Sequence, residues 1–212
     1  MFIGLDPERV RANLERIRAT IADTGREPDT VRVLAAVKYV EAEELGALRE
    51  AGVTLVGENR AQELETKAGA HPEFEWHFIG QLQSRKVKQI VPYATLIHSV
   101  ASESALKQLA LHHTPATRIL LEVNVAEEPG KAGIAPDDLP RYLDEAPVPV
   151  IGLMTMPPFT PDPELSRPHF ARLAALAAQH DLPELSMGTS QDFAVAAAEG
   201  ATIVRIGTTL YT

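Results

Sequence analysis

Eight times along this chain a short apolar run is followed by a stretch with helical spacing, and that alternation constrains the fold more than any other feature. The runs that read as strands are 31–38, 54–59, 75–80, 95–100, 118–125, 148–156, 185–188 and 202–208. Helical patterns fall between them at 41–50, 60–69, 84–91, 103–112, 136–145, 162–180 and 190–199. One more amphipathic helix leads the series. Asp6 caps it, Pro7 takes its first position, and Val10, Leu14, Ile17 and Ile21 recur at helical spacing before Gly25 ends it. Strands alternating with helices make a parallel sheet. Eight such units in 212 residues predict a single α/β domain over 1–212. The expected form is a closed (β/α)8 TIM barrel with an extra N-terminal helix and no helix after the last strand. The alternative is an open doubly wound sheet, but no strand leads into the Gly-x-Gly-x-x-Gly turn that would favour it.

Composition narrows the partners. Hydrophobic residues make up 45% of the chain, enough for a packed core. Lysine and arginine total 20 against 29 acids, a net charge of −9, which argues against a nucleic-acid or anionic membrane partner. There is no cysteine, so disulfides, thiolate nucleophiles and Cys-ligated metals are excluded. No apolar run is long enough to span a bilayer, and the segment Met1–Glu8 lacks the pattern of a secretory signal. A cytoplasmic protein is expected. No His/Asp/Glu spacing suggests a metal site.

In a barrel of this kind the chemistry sits at the C-terminal ends of the strands. Read in turn, those ends supply Lys38; Glu58 and Asn59; His77, with Gln81 and Gln83 beyond it; His98 and Ser99; Asn124; Met154 and Thr155; Gly188, Thr189 and Ser190; and Arg205, Gly207 and Thr208. Lys38 closes the apolar run Val31-Arg-Val-Leu-Ala-Ala-Val-Lys38. A buried lysine there must find an anion, shed its proton or form a covalent bond, and a desolvated amine suits Schiff-base chemistry. The competing reading is a lysine that snorkels into water.

Gly188-Thr189-Ser190 opens a helix and offers backbone N–H groups and a hydroxyl to an anion, and Gly207-Thr208 adds a close backbone approach and a second hydroxyl. Ser190 read alone is equally a helix cap. Arg205, inside the eighth strand, needs a partner: a carboxylate such as Glu58 or Asp192, or a ligand's ring nitrogen, which an arginine would keep unprotonated.

An amine, an anion cup and a ring-facing arginine at one barrel mouth suggest pyridoxal 5′-phosphate. The motifs that carry a resemblance run in order over almost the whole chain: Leu34-Ala-Ala-Val-Lys38, Gly57-Glu-Asn59, Trp76-His-Phe-Ile-Gly80 with Leu82-Gln-Ser84, Glu128-Pro-Gly-Lys-Ala-Gly133, Gly152-Leu-Met154, Ser186-Met-Gly-Thr-Ser190 with Asp192, and Val204-Arg-Ile-Gly-Thr208. In these the chain resembles the pyridoxal-phosphate-binding homeostasis proteins, which are similar to the N-terminal barrel domain of alanine racemase. The resemblance implies that Lys38 carries the cofactor as a Schiff base. It implies that Ser190, Gly207 and Thr208 hold the phosphate, that Arg205 lies by the pyridine nitrogen, and that Asn59 and His77 line the ring, with Met154 at the end of its strand counted among the cofactor-binding residues. Arg85 departs from the family, which usually has Asn there. The ending at Tyr211-Thr212 implies that a final helix is missing or short.

A racemase needs a second base on the opposite face of the substrate. The resemblance implies that the racemase's own second base is a tyrosine from an additional domain, for which this chain has no residues left. The tyrosines here are Tyr39, Tyr93, Tyr142 and Tyr211, and Tyr39 is expected to point to the other face of the strand from Lys38. The expectation is therefore a monomeric carrier that buffers pyridoxal phosphate or delivers it to apo-enzymes, with little or no turnover. The alternatives are a small racemase and a cofactor-free Schiff-base aldolase acting on a sugar phosphate. Lys131, in Pro129-Gly-Lys-Ala-Gly133, reads either as a transient acceptor of the aldehyde or as a solvated loop lysine.

Overall fold

The computed structural model describes Phe2 and residues 4–212; the reading of the N-terminal segment rests in part on Met1 and Ile3, which lie outside the described residues. The leading helix α1 (Pro7–Asp23) starts as expected, with the Asp6 carboxylate accepting the Glu8 N–H and Pro7 at the first position. Eight strands follow: β1 (Arg32–Ala36), β2 (Leu55–Glu58), β3 (Glu75–Phe78), β4 (Leu96–Val100), β5 (Arg118–Glu122), β6 (Val150–Met154), β7 (Glu184–Thr189) and β8 (Ile203–Ile206). Each pairs in parallel with the next, and β8 pairs with β1, so the sheet closes into a barrel. Between them stand α2 (Leu45–Glu50), α3 (Ala61–Ala70), α4 (Val87–Ile90), α5 (Glu103–His112), α6 (Leu139–Glu145), α7 (Arg167–Gln179) and α8 (Phe193–Ala198).

Several expected helices are shorter than their sequence patterns, because their first turns tighten into 3₁₀ geometry at Ala42–Glu44, Ser84–Lys86, Pro136–Asp138 and Pro163–Ser166. The end of the chain also differs from expectation. Residues Thr208–Tyr211 form one more helical turn, α9, in place of the end of a strand. Tyr211 is buried in it, packs against Phe2 with the rings tilted at 54° and their centres 4.9 Å apart, and donates its hydroxyl to the Ala36 carbonyl at 3.1 Å. The α9 turn therefore tucks in beside β1.

Side chains alternate between two cores. Leu34, Leu55, Leu96, Leu120, Met154 and Ile203 form a layer inside the barrel, with Ile79 and Ile151 against it. The larger cluster fills the space between the sheet and its helices. Residues two places on from the interior leucines and isoleucine also face inward, which sends His98, Glu122 and Arg205 into the barrel and Glu58 outward.

Candidate functional site

The mouth of the barrel, at the C-terminal ends of the strands, opens into a cavity of about 610 Å³. Seven of the strand-end residues named from sequence line it together: Lys38, Asn59, Thr189, Ser190, Arg205, Gly207 and Thr208. They follow β1, β2, β7 and β8, and Arg205 reaches up from within β8. Ile79 and Gly80 after β3 and Met156 and Phe159 after β6 complete the wall, with Gln191 at the rim.

Lys38 is placed differently from the reading of a buried strand end. β1 stops at Ala36; Val37 donates to the Gly57 carbonyl, and Val40 donates back to Val37, so the chain turns. Lys38 sits in that turn and is exposed, with its ammonium 4.7 Å from the centre of the Tyr39 ring. Tyr39 is thus beside Lys38, not across the strand from it. The amine is accessible to a carbonyl compound in the mouth and has no carboxylate partner among the ion pairs of the described residues. The buried lysine is another one. Lys67 on α3 is 2% exposed and donates to Glu58 Oε2 at 2.7 Å and to the Val37 carbonyl at 2.9 Å. This removes Glu58 from the alternatives for Arg205's partner: Glu58 faces the helix layer, where it also accepts the N–H groups of Asn59 and Arg60.

Asn59 and Gly80 meet at the next part of the rim. A Cβ on residue 80 would stand 2.1 Å from the Asn59 carbonyl oxygen, so only glycine lets the two backbones approach. Asn59 lines the cavity, and its Oδ1 is buried with no hydrogen-bond partner among the described residues. A buried orphan acceptor costs roughly 1–3 kcal/mol, and a donor on a bound molecule would relieve it.

The opposite part of the wall is a set of donors. Ser190 Oγ accepts the Gly207 N–H at 3.1 Å, which ties the loops after β7 and β8 together. Of the N–H groups that open α9, that of Leu210 donates to the Gly207 carbonyl, and Thr208 lines the cavity. Asp192 does not reach Arg205; its Oδ1 accepts the N–H and hydroxyl of Thr189 at 2.7 and 3.0 Å and shapes the turn before α8.

Arg205 is 6% exposed and finds oxygens rather than a carboxylate. It donates to Ser186 O at 2.8 Å, Ser186 Oγ at 2.5 Å and Thr155 O at 3.0 Å, and contacts Met156 Sδ at 2.9 Å. Burial pulls its pKa down to about 10, against the opposing charges of Glu122 and Asp192, so at neutral pH it remains a cation. Glu122 is held above the usual carboxylate range by burial.

Two expected site residues lie elsewhere. His77 is fully buried in the barrel interior, where Nδ1 meets His98 Nε2 at 2.9 Å and Nε2 meets Glu75 Oε1 at 2.8 Å. It points along the barrel away from the mouth, because Glu75 is at the start of its strand. Met154 belongs to the interior layer. Two residues later, Met156 takes the place at the mouth that Met154 was expected to hold. Lys131 pairs with Glu128 at 2.9 Å and does not line the mouth. Arg85 donates to Gln83 in an exposed turn. Sequence reasoning passed over Met156, Phe159 and Gln191, which lie in loops with no motif, and named His98 at its strand end without a role.

Comparison with known proteins shows the family of this chain. The family model of the alanine racemase N-terminal domain matches residues 5–212. A pyridoxal phosphate homeostasis protein of Aquifex aeolicus is 40% identical, covering 96% of each chain. The structure of an unknown protein from Bifidobacterium adolescentis superposes with a TM-score of 0.86 at 32% identity, covering 97% of this chain and 94% of that one. PipY of Synechococcus elongatus, solved with PLP bound, superposes with a TM-score of 0.76 at 31% identity, covering 92% of this chain and all of its own. By these matches the chain belongs to the family of the pyridoxal phosphate homeostasis proteins, built on the alanine racemase N-terminal barrel.

Proposed function

We propose that this protein binds pyridoxal 5′-phosphate in the barrel mouth, holds it covalently on Lys38, and stores or delivers it without substantial turnover. The observation that carries this reading is convergence: one cavity is lined by an accessible amine, a buried guanidinium, and Ser190, Gly207 and Thr208, with the Gly207 N–H held by Ser190 Oγ. Bound there, the group supplies an aldehyde that condenses with a primary amine. Ser190, Gly207 and Thr208 would hold the phosphate, and Arg205 would face the ring and keep its nitrogen unprotonated. Asn59 would line the same site. The PLP-bound PipY structure supports the same choice of ligand.

The surrounding tyrosines argue for carriage over catalysis. A two-base reaction needs groups on opposite faces of the substrate. Tyr39 is on the same side as Lys38, and Tyr211 is buried, bonded to Ala36, with its pKa pushed far up by burial. The absence of cysteine and the acidic surface fit a monomeric cytoplasmic carrier whose recipients are apo-enzymes that use this cofactor.

The test is spectroscopic. Purified protein mixed with pyridoxal phosphate turns yellow, and borohydride reduction followed by mass spectrometry labels Lys38 and not Lys131. Lys38→Ala abolishes the covalent adduct. Protein that stays colourless under these conditions overturns the assignment. Solvent-deuterium exchange at the α-carbon of an amino acid, lost in Lys38→Ala, replaces the carrier by an enzyme.

A further inference from the structure

Arg205 stands at one end of a continuous string of hydrogen bonds that crosses the barrel interior. Its Nη1 meets Ser186 Oγ at 2.5 Å, Ser186 Oγ meets His98 Nδ1 at 2.8 Å, and His98 Nε2 meets His77 Nδ1 at 2.9 Å. His77 Nε2 then meets Glu75 Oε1 at 2.8 Å. Ser186, His98 and His77 are all fully buried, whereas Glu75 is 44% exposed in side chain and lines a floor cavity with Arg32, Arg118 and Glu184. The string therefore runs from the mouth to solvent at the far end.

Its protons are placed from the carboxylate end. An ionised carboxylate only accepts, so His77 carries its proton on Nε2 and donates to Glu75. The bare His77 Nδ1 then accepts from His98 Nε2, which leaves His98 Nδ1 bare. That nitrogen takes the Ser186 hydroxyl hydrogen, and Ser186 Oγ accepts from Arg205, which only donates. Every bond points the same way, from a cation at the mouth to an anion at the floor, and reversing any one of them leaves two donors or two acceptors facing each other.

From this geometry we infer that Glu75, His77, His98 and Ser186 are positioning residues, an axial relay that fixes Arg205 against the ligand's ring. The inference rests on the functional reading above, because it needs a ring in the mouth for Arg205 to face. Ionisation fits the directions. Burial holds His77 and His98 neutral, and the bond from His77 keeps Glu75 ionised, its pKa down at about 2. None of the four lines the mouth cavity, so each acts on a ligand there only through Arg205.

The decisive comparison is between His98→Leu and His98→Gln. Leucine fills the space but cuts the string, whereas glutamine can accept from Ser186 and donate to His77. His98→Leu is expected to weaken pyridoxal phosphate binding about tenfold, the worth of one buried neutral hydrogen bond, and to shift the visible absorbance of the bound cofactor. His98→Gln is expected to stay within about twofold of wild type. If both variants bind and absorb like wild type, or both fail alike while folded, the relay is overturned. Should His98→Leu not fold, Ser186→Ala removes the same link nearer the mouth and is read in the same way. A second measurement needs no cofactor. Nitrogen-15 NMR of the unliganded protein at pH 7 is expected to show both histidines neutral and protonated on Nε2, and an Nδ1-protonated or cationic form of either refutes the relay. A protein that binds no pyridoxal phosphate removes the functional reading and leaves the relay to be decided by the NMR result.

Discussion

Glu58 and Asn59 are neighbours in sequence but serve different layers of the molecule. Strand alternation sends Glu58 out to Lys67 on α3 and leaves Asn59 at the rim of the mouth. The two are linked, because Glu58 also accepts the Asn59 N–H at 2.7 Å and so fixes the backbone that presents Asn59. Removing Lys67 leaves Glu58 as a buried charge with no cation. Lys67→Ala is expected to cost about 3–5 kcal/mol in urea unfolding. Adding Glu58→Gln to it should recover part of that loss, since the neutral amide oxygen still accepts the two backbone N–H groups. The same reasoning shows where residue-level reading fails. Lys38 was legible as the end of an apolar run, but its burial was not, because that depended on where the chain turned. Two polar side chains in succession, Lys38 and Tyr39, are accommodated in a turn, and the strand ends at Ala36 instead. Arg205 was legible as a buried cation; its partners were not, because the choice between Glu58 and Ser186 turns on a one-residue parity.

The order of strands and helices was readable because each run has its own period, two or 3.6, and glycines or prolines mark the joins. The ends of the elements were less readable. Proline-containing first turns tighten into 3₁₀ geometry, and the short α9 has too few residues to show a period. The contact between β6 and β7 gives a test at this scale. Gly152 faces Glu184 in the register of the sheet, and a Cβ there would lie 1.9 Å from the Glu184 carbonyl oxygen. Backbone cannot swing aside as a side chain can. Gly152→Ala is expected to push the two strands apart and to cost about 3 kcal/mol in thermal or urea unfolding. The same separation would disturb Thr155 and Ser186, whose carbonyls hold Arg205, so pyridoxal phosphate affinity should fall with stability. A variant as stable as wild type would show that this approach is not tight.

For the molecule as a whole, the unusual feature is a polar thread through an otherwise apolar barrel interior. Leucines and isoleucines fill one layer, and His77, His98, Ser186 and Arg205 occupy the neighbouring positions. Sequence alone did not reveal the thread, because its members come from four strands and only the closed sheet brings them together. Its cost is visible in acid. Both histidines are kept neutral in the fold by burial, below the ordinary value of about 6.5. The unfolded chain therefore takes up protons that the native barrel refuses, so stability is complete above pH 6.5 and declines as pH falls towards the folded values. Each histidine contributes a slope of up to about 1.4 kcal/mol per pH unit. Neighbouring charges modify this slope: Glu75 and Glu184 favour the charged form of His77, whereas Arg32 opposes it in both rings and Arg205 opposes it in His98. Glu122, raised by burial, has the opposite sign, since its contribution is lost as pH rises through its folded value. A difference measurement isolates the histidine: unfolding free energies of wild type and His98→Gln at intervals from pH 7 to 5 should diverge increasingly as pH falls below 6.5, by at most about 1.4 kcal/mol per pH unit, wild type being the steeper. Parallel curves would mean that His98 takes a proton inside the fold, which is incompatible with its place between Ser186 and His77.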